Sequence, residues 1–154
     1  MKNILKKLRL FMMTAIVIVL IGFGVLGQVS QNQENIATYN ESQMTLGICP
    51  DSPNCVSSFE GPDNSHFIAP LTITPDRLAQ VHSFFAKDCT LEKKSLNYRY
   101  YTCKSSLFGF VDDIETLFIE ETKSLHFRSA SRVGRSDLGK NKNRIQELKA
   151  FLGN

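Results

Sequence analysis

Residues 112–132 read DDIETLFIEETKSLHFRSASR. Apolar and polar residues alternate through both halves, and Glu120, Glu121, Thr122 and Lys123 break the pattern in the middle. Alternation with a period of two marks a strand, and a short polar break between two such runs marks a turn. The segment is read as a β-hairpin with strands over 112–119 and 125–132. The expected register sets Ile119 opposite Leu125, Leu117 opposite Phe127, Glu115 opposite Ser129 and Asp113 opposite Ser131. On the other face it pairs Phe118 with His126, Thr116 with Arg128, Ile114 with Ala130 and Asp112 with Arg132. A slip of one residue exchanges the faces, so this register is a sharp expectation.

Upstream, residues 90–93 and 97–103 form a second hairpin signal, rich in tyrosine. Tyr98, Tyr100 and Thr102 point one way, and Arg99, Tyr101 and Cys103 the other. The tyrosines are read as cross-strand and core packing rather than a platform for ligand stacking. In this hairpin residue 91 faces 101, 93 faces 99 and Cys89 faces Cys103. The connection Ser105 to Phe110 carries Leu107, Phe108 and Phe110, which are expected to tuck under the sheet while Gly109 permits a bend.

Helices flank the strands. Thr74, Pro75 and Asp76 give a helix start, with Thr as N-cap and Pro at the first position. Leu78, Val81 and Phe85 follow at helical spacing, with His82 beside this stripe as a packing residue. The helix ends near Lys87. After Val133, Gly134 and Arg135 turn the chain, Ser136 or Asp137 caps a last helix. Its inward stripe is Leu138, Ile145, Leu148 and Leu152, and Lys140, Lys142 and Lys149 face water. A short leading strand is expected over 56–59, and an edge or connector over 66–73, where Pro70 interrupts. Hairpins make the four main strands antiparallel. The fold class is α+β, a small antiparallel sheet of about four strands with two helices on one face.

The first third of the chain is different. Leu10 to Gly27 is an apolar run without a charge, preceded by Lys2, Lys6, Lys7 and Arg9. As a helix of eighteen residues it is roughly 27 Å long, near the hydrocarbon thickness of a bilayer. The leading bases keep the N-terminus in the cytoplasm and export the rest. The length favours a retained single-span anchor in the inner membrane; the competing reading is a signal sequence, cleaved to release a secreted domain. Residues 28–48 are polar and read as a flexible linker. The organisation expected is thus an anchor or signal over 1–27, a linker over 28–48 and an exported domain over 49–154.

The net charge of +3 comes from the N-terminus, because removing its four bases from 18 leaves 14 against 15 acids. A domain of this charge gives no support for nucleic-acid binding. An even set of four cysteines in an exported domain reads as disulfides. Cys49 and Cys55 close a short loop with two prolines, and Cys89 and Cys103 lie opposite each other in a hairpin. The pairs expected are Cys49–Cys55 and Cys89–Cys103. A zinc site from Cys49, Cys55 and His66 has the wrong spacing, and no metal or cofactor is expected.

Three segments, CPDSPNCVSS over 49–58, SLFGFVDDIE over 106–115 and FRSASRVGRSDLG over 127–139, followed by Asn141 and Arg144, resemble a bacterial family known as domain of unknown function 1499. The resemblance runs from Cys49 almost to the end. It implies a domain behind a signal or membrane segment and brings no activity with it. Cys89 and Cys103 lie outside the family pattern and are read as a local addition.

Asp112, Asp113, Arg128, Arg132, Arg135, Asp137, Asn141 and Arg144 lie close in sequence and form the candidate site. The arginines, with Ser129 and Ser131, suit a phosphate or carboxylate. The acids could act as general acid and base, but no nucleophile with its base, no metalloprotease motif and no phosphate loop accompanies them. The third reading is a structural network of ion pairs, with Asp112–Arg132 and Asp137–Arg144 as its members. The favoured function is a non-catalytic binding or structural module of the envelope. The alternative is an enzyme or binder of a small anionic ligand. Expected partners are the membrane, through residues 10–27, and an envelope protein or anionic small molecule.

Overall fold

The computed structural model describes residues 2–153. Three helices, α1 (Lys2–Asn32), α2 (Leu78–Phe85) and α3 (Lys140–Phe151), accompany six strands. The strands are β1 (Cys55–Ser57), β2 (Leu71–Thr72), β3 (Cys89–Lys94), β4 (Tyr98–Lys104), β5 (Val111–Ile119) and β6 (Ser124–Ser131). They form one antiparallel sheet in the order β1-β6-β5-β4-β3, with β2 also paired to β6. The four long strands are those of the two hairpins. The two short ones lie along β6, where they satisfy backbone groups that an open edge would expose.

The sheet has two covered faces. On one, Tyr101, Ile114, Phe118, Leu125 and Phe127 pack against Val81 and Phe85 of α2 and Ile145 and Leu148 of α3. This is the main core, and the two helices lie on one face as the alternation required. On the other, Tyr98, Tyr100 and Leu117 pack with Leu46, Ala37, Tyr39 and Met44. The polar stretch before the domain therefore does not stand free as a spacer. It lies across the sheet as a strap, because Leu46 and the Tyr39 ring, stacked 4.3 Å from Tyr98, give it apolar surface to bury.

Both disulfides form as expected, Cys49–Cys55 and Cys89–Cys103, with Cα–Cα distances of 5.7 and 4.2 Å. The β3–β4 register holds at Cys89–Cys103 and Leu91–Tyr101, then shifts at a bulge so that Lys93 faces Tyr100 instead of Arg99. The β5–β6 register differs from the expectation by one residue. Ile119 pairs with Ser124, Phe118 with Leu125, Thr116 with Phe127, Glu115 with Arg128, Asp113 with Ala130 and Asp112 with Ser131. The turn is one residue shorter than the expected pairing needs. The Lys123 amide bonds to the Glu120 carbonyl and Lys123 takes a left-handed conformation, φ 51°, so β6 begins at Ser124.

The helix starts differ in detail. Thr74 makes no side-chain cap, and Pro75–Arg77 is a single 3-10 turn leading into α2. Leu138 is 94 % exposed rather than inward, with φ 57°, and Gly139 at φ 79° precedes α3. Two consecutive left-handed residues turn the Leu138 side chain out before the helical stripe begins. Asp137 still serves the helix start, accepting the amides of Gly139 and Asn141 at 3.0 and 2.7 Å. Lys149 is partly withdrawn from water: its ammonium donates to the Ala69 carbonyl at 2.6 Å and lies 5.9 Å from the Phe127 ring centroid. Burial holds its pKa below the usual lysine range.

Candidate functional site

Strand β5 puts three carboxylates, Asp112, Asp113 and Glu115, inside the protein. Neighbouring residues of a strand point to opposite faces, so Asp112 and Asp113 cannot serve one site. Asp112 points to the helix side. Its Oδ2 accepts from Arg144 at 2.8 Å and lies 4.0 Å from the Lys140 ammonium, while Oδ1 accepts from the Ser131 hydroxyl. Asp113 points to the strap side. Arg132 donates to both of its oxygens, Nε at 3.0 and 3.1 Å and Nη2 at 2.8 Å, a fork that a planar guanidinium makes well. The Tyr100 hydroxyl also donates to Asp113.

Glu115 is on the strap side, fully buried, and collects four donors. They are the Thr38 amide at 2.8 Å, the Thr38 hydroxyl at 2.6 Å, the Tyr39 amide at 3.1 Å and the Tyr98 hydroxyl at 2.8 Å. Arg128, directly opposite, pairs with it at 3.5 Å, while the Arg128 Nε and Nη1 have no hydrogen-bond partner among the described residues. Burial pushes the Tyr98 and Tyr100 hydroxyls above the usual phenol range, aided by the charge of Glu115 on Tyr98 and the bond to Asp113 on Tyr100. The bond to Asp113 raises Arg132 further above its ordinary value. These groups stay in the protonation states their partners need.

Asn141, at the first turn of α3, is the hub on the helix side. Its amide nitrogen donates to Asp137, the Asn54 carbonyl and Ser131, and its oxygen accepts from Ser129 at 2.6 Å and Arg144 at 3.1 Å.

The expected members therefore divide. Asp112, Asp137, Asn141 and Arg144 meet on the helix side, with Ser129 and Ser131. Asp113, Arg128 and Arg132 lie on the strap side. Arg135 is exposed at the turn and makes no hydrogen bond or ion pair among the described residues. The expected pair Asp112–Arg132 is replaced by Asp113–Arg132, because the register slip carries Asp112 to the other face. Asp137–Arg144 is replaced by Asp112–Arg144, because Asp137 is taken up at the start of α3. The residues that sequence reasoning passed over are Thr38, Tyr39 and Asn54, together with the Tyr98 and Tyr100 hydroxyls. The first three sit in polar loops with no periodic signal, and the alternation marks the two tyrosines only as core and cross-strand packing.

Above the helix-side network lies a groove of about 620 Å³ between the end of α2, the start of α3 and the chain leaving β4. Lys87, Lys104, Lys140 and Arg144 line it with Asp88, Asp137 and Glu147, and the Cys89–Cys103 bridge forms part of its wall. No group of three or more His, Cys, Asp or Glu among the described residues could hold a metal ion.

These features define a class: a disulfide-bonded α+β domain with buried ion pairs on both faces of its sheet, carried behind one apolar helix long enough to cross a membrane. A family model described as "Protein of unknown function (DUF1499)" matches residues 45–152, and the chain belongs to that family. No curated protein and no solved structure matches it.

Proposed function

We propose that this is a non-catalytic binding module of the cell envelope, anchored by residues 10–27 with its domain outside the cytoplasm, whose acid–arginine cluster is scaffold rather than active site. The observation that carries this reading is the division of the carboxylates. Asp112 and Asp113 face opposite sides of the sheet, and each is engaged by its own arginine. An acid–base pair must act on one substrate from one cavity, and these two carboxylates share none. An anion would have to displace a buried carboxylate to reach Arg132 or Arg144, and leaving that carboxylate unpaired is costly.

Recognition is assigned to the groove. Its lining carries four basic side chains against Asp88, Asp137 and Glu147, together with Phe84 and Phe85, and so suits a protein segment that brings both an apolar and an acidic side chain. The test is a photo-cross-linking residue at Asn143, in the groove, in the full chain within its host envelope. A discrete protein adduct is expected at position 143, and Lys104→Glu with Lys140→Glu should abolish it. Absence of any adduct removes the groove from the proposal, and a small anionic adduct in native mass spectrometry replaces the protein partner. Turnover of a substrate by the purified chain, lost in Asp112→Asn, overturns the non-catalytic reading.

A further inference from the structure

The β4–β5 connection, residues 105–110, reads SSLFGF. Its apolar residues predict a loop tucked beneath the sheet, and the structure places them elsewhere. Phe108 and Phe110 pack instead on α1, with ring centroids 5.3 and 6.4 Å from Phe23. Gly27 makes this approach possible, since a Cβ there would lie 1.7 Å from the Phe108 carbonyl oxygen. One turn further along, the Ser30 hydroxyl accepts the Val111 amide at 2.9 Å and is completely buried. Lys104 donates to Gln31 beside it. The loop is braced internally by Ser105, whose amide donates to the Phe110 carbonyl at 2.8 Å and whose hydroxyl accepts the Phe110 amide at 2.9 Å. At its tip Leu107 is 80 % exposed.

Phe23 and Gly27 belong to the last turn of the apolar run. Their four-residue separation spans roughly 6 Å of helix axis. If that run crosses the bilayer, a loop seated on Phe23 and Gly27 lies level with the boundary between acyl chains and headgroups. Aromatic residues collect at that depth, and basic side chains reach from there to the headgroups. An exposed leucine and two half-buried phenylalanines, with Lys104 and Gln31 just above, match the boundary in order.

We propose that residues 105–110 form a second membrane contact, in which Leu107 and the edges of Phe108 and Phe110 enter the lipid boundary beside α1. The occupant of this apolar surface is lipid, because the surface continues the apolar face of a helix that itself requires lipid. The domain then rests on the bilayer through two elements, and the strap is free to cover the sheet because it need not act as a stalk. The inference depends on α1 spanning the membrane; it shares Lys104, Ser105 and Ser106 with the groove but does not require the groove to be occupied.

The chain contains no tryptophan, so one introduced indole reports one position. Full-length Leu107→Trp is reconstituted in phosphatidylethanolamine–phosphatidylglycerol vesicles with brominated acyl chains. Leu96→Trp is the control. Leu96 is 88 % exposed in the β3–β4 turn, at the end of β4 remote from the loop. The indole at 107 should shift to the blue and lose the greater part of its emission in brominated vesicles, and aqueous iodide should not reach it. The indole at 96 should keep its emission with bromolipid and lose it to iodide. Equal responses at the two positions overturn the proposal. So does a chain that fails to insert, or an indole at 107 that neither bromolipid nor iodide reaches, which would mean that protein covers the loop.

Discussion

Replacing Arg132 by alanine tests whether the polar cluster is scaffold. The Arg132 side chain is 3 % exposed and that of Asp113 is 2 % exposed. Besides its fork to Asp113, Arg132 donates to the Gln33 carbonyl and the Asn35 side chain, each at 2.7 Å. Arg132→Ala therefore strands a buried carboxylate with Tyr100 as its remaining donor and releases the start of the strap. Removing one partner of a buried pair costs about 3–5 kcal/mol. For a domain of roughly a hundred residues, each kcal/mol moves the melting temperature by about 4–8 °C, so the expected fall is at least about 12 °C. The assay is thermal unfolding of the full chain in detergent micelles, followed by near-ultraviolet circular dichroism of the tyrosines and disulfides, which excludes the signal of α1. Arg132→Lys keeps the charge without the fork and should melt between the two. Adding Asp113→Ala to Arg132→Ala removes the stranded charge, and the pair should be less damaging than the sum of the singles by about 1–3 kcal/mol. A fall of less than about 2 °C for Arg132→Ala, or strict additivity in the double variant, would refute the argument and return Arg132 to the list of ligand-binding residues.

Two further outcomes follow from the strap side of the sheet. Burial holds His126 below the ordinary imidazole value of about 6.5, its Nδ1 lacking a hydrogen-bond partner among the described residues, so the unfolded chain takes up the proton first. Stability is then full above about pH 6.5 and declines as pH falls toward the folded value; His126→Gln should flatten the urea-unfolding free energy between about pH 7.5 and 5, and an unchanged slope would locate the titration at another group. Glu115→Gln leaves Arg128 without its counter-charge and weakens the hold on Thr38 and Tyr39, so a glutamate-specific protease should cut after Glu34 or Glu41 at least about tenfold faster than in wild type. Equal cutting rates would mean that the strap is held by Leu46 and Tyr39 packing alone.

Much of this architecture can be read from alternation and local signals. The two hairpins, both disulfides and the two core helices follow from residue spacing alone. The β5–β6 register does not, for a specific reason. Strand β5 is buried on both faces, apart from partly exposed Ile119, so its two sets of side chains do not sort by polarity. The expected register sets two apolar pairs near the turn and the observed one sets Phe118 against Leu125, and the choice falls to Lys123, a non-glycine residue in a left-handed conformation that leaves no mark in sequence. The site inherits that uncertainty. Its residues are recognisable as a cluster, but their partners depend on the register, and the expected register gives Asp112 and Asp113 each other's partners. The strap was hidden differently: its contacts come from Thr38, Tyr39 and Leu46, too sparse to give a periodic signal.

The arrangement of β5 also sets where a partner must approach. Its three carboxylates hold three different elements: Asp112 takes Arg144 of α3, Asp113 takes Arg132 beyond β6, and Glu115 takes the strap. Buried charges of this kind contribute little net stability compared with apolar packing, yet each tolerates only its own geometry. They therefore suit a structure that must hold its surface groups in fixed relation. One end of β5 is pinned to α1 through Val111 and Ser30, and the next residue, Asp112, holds Arg144 at the edge of the groove. Lys104, Ser105 and Ser106 line that groove, while the same connection lays Phe108 and Phe110 on α1. An occupant of the proposed groove would thus be met within a few residues of the apolar helix. Cross-linking at position 143 and lipid quenching at position 107 separate them: an adduct without quenching keeps the groove and removes the lipid contact, and quenching without an adduct does the reverse.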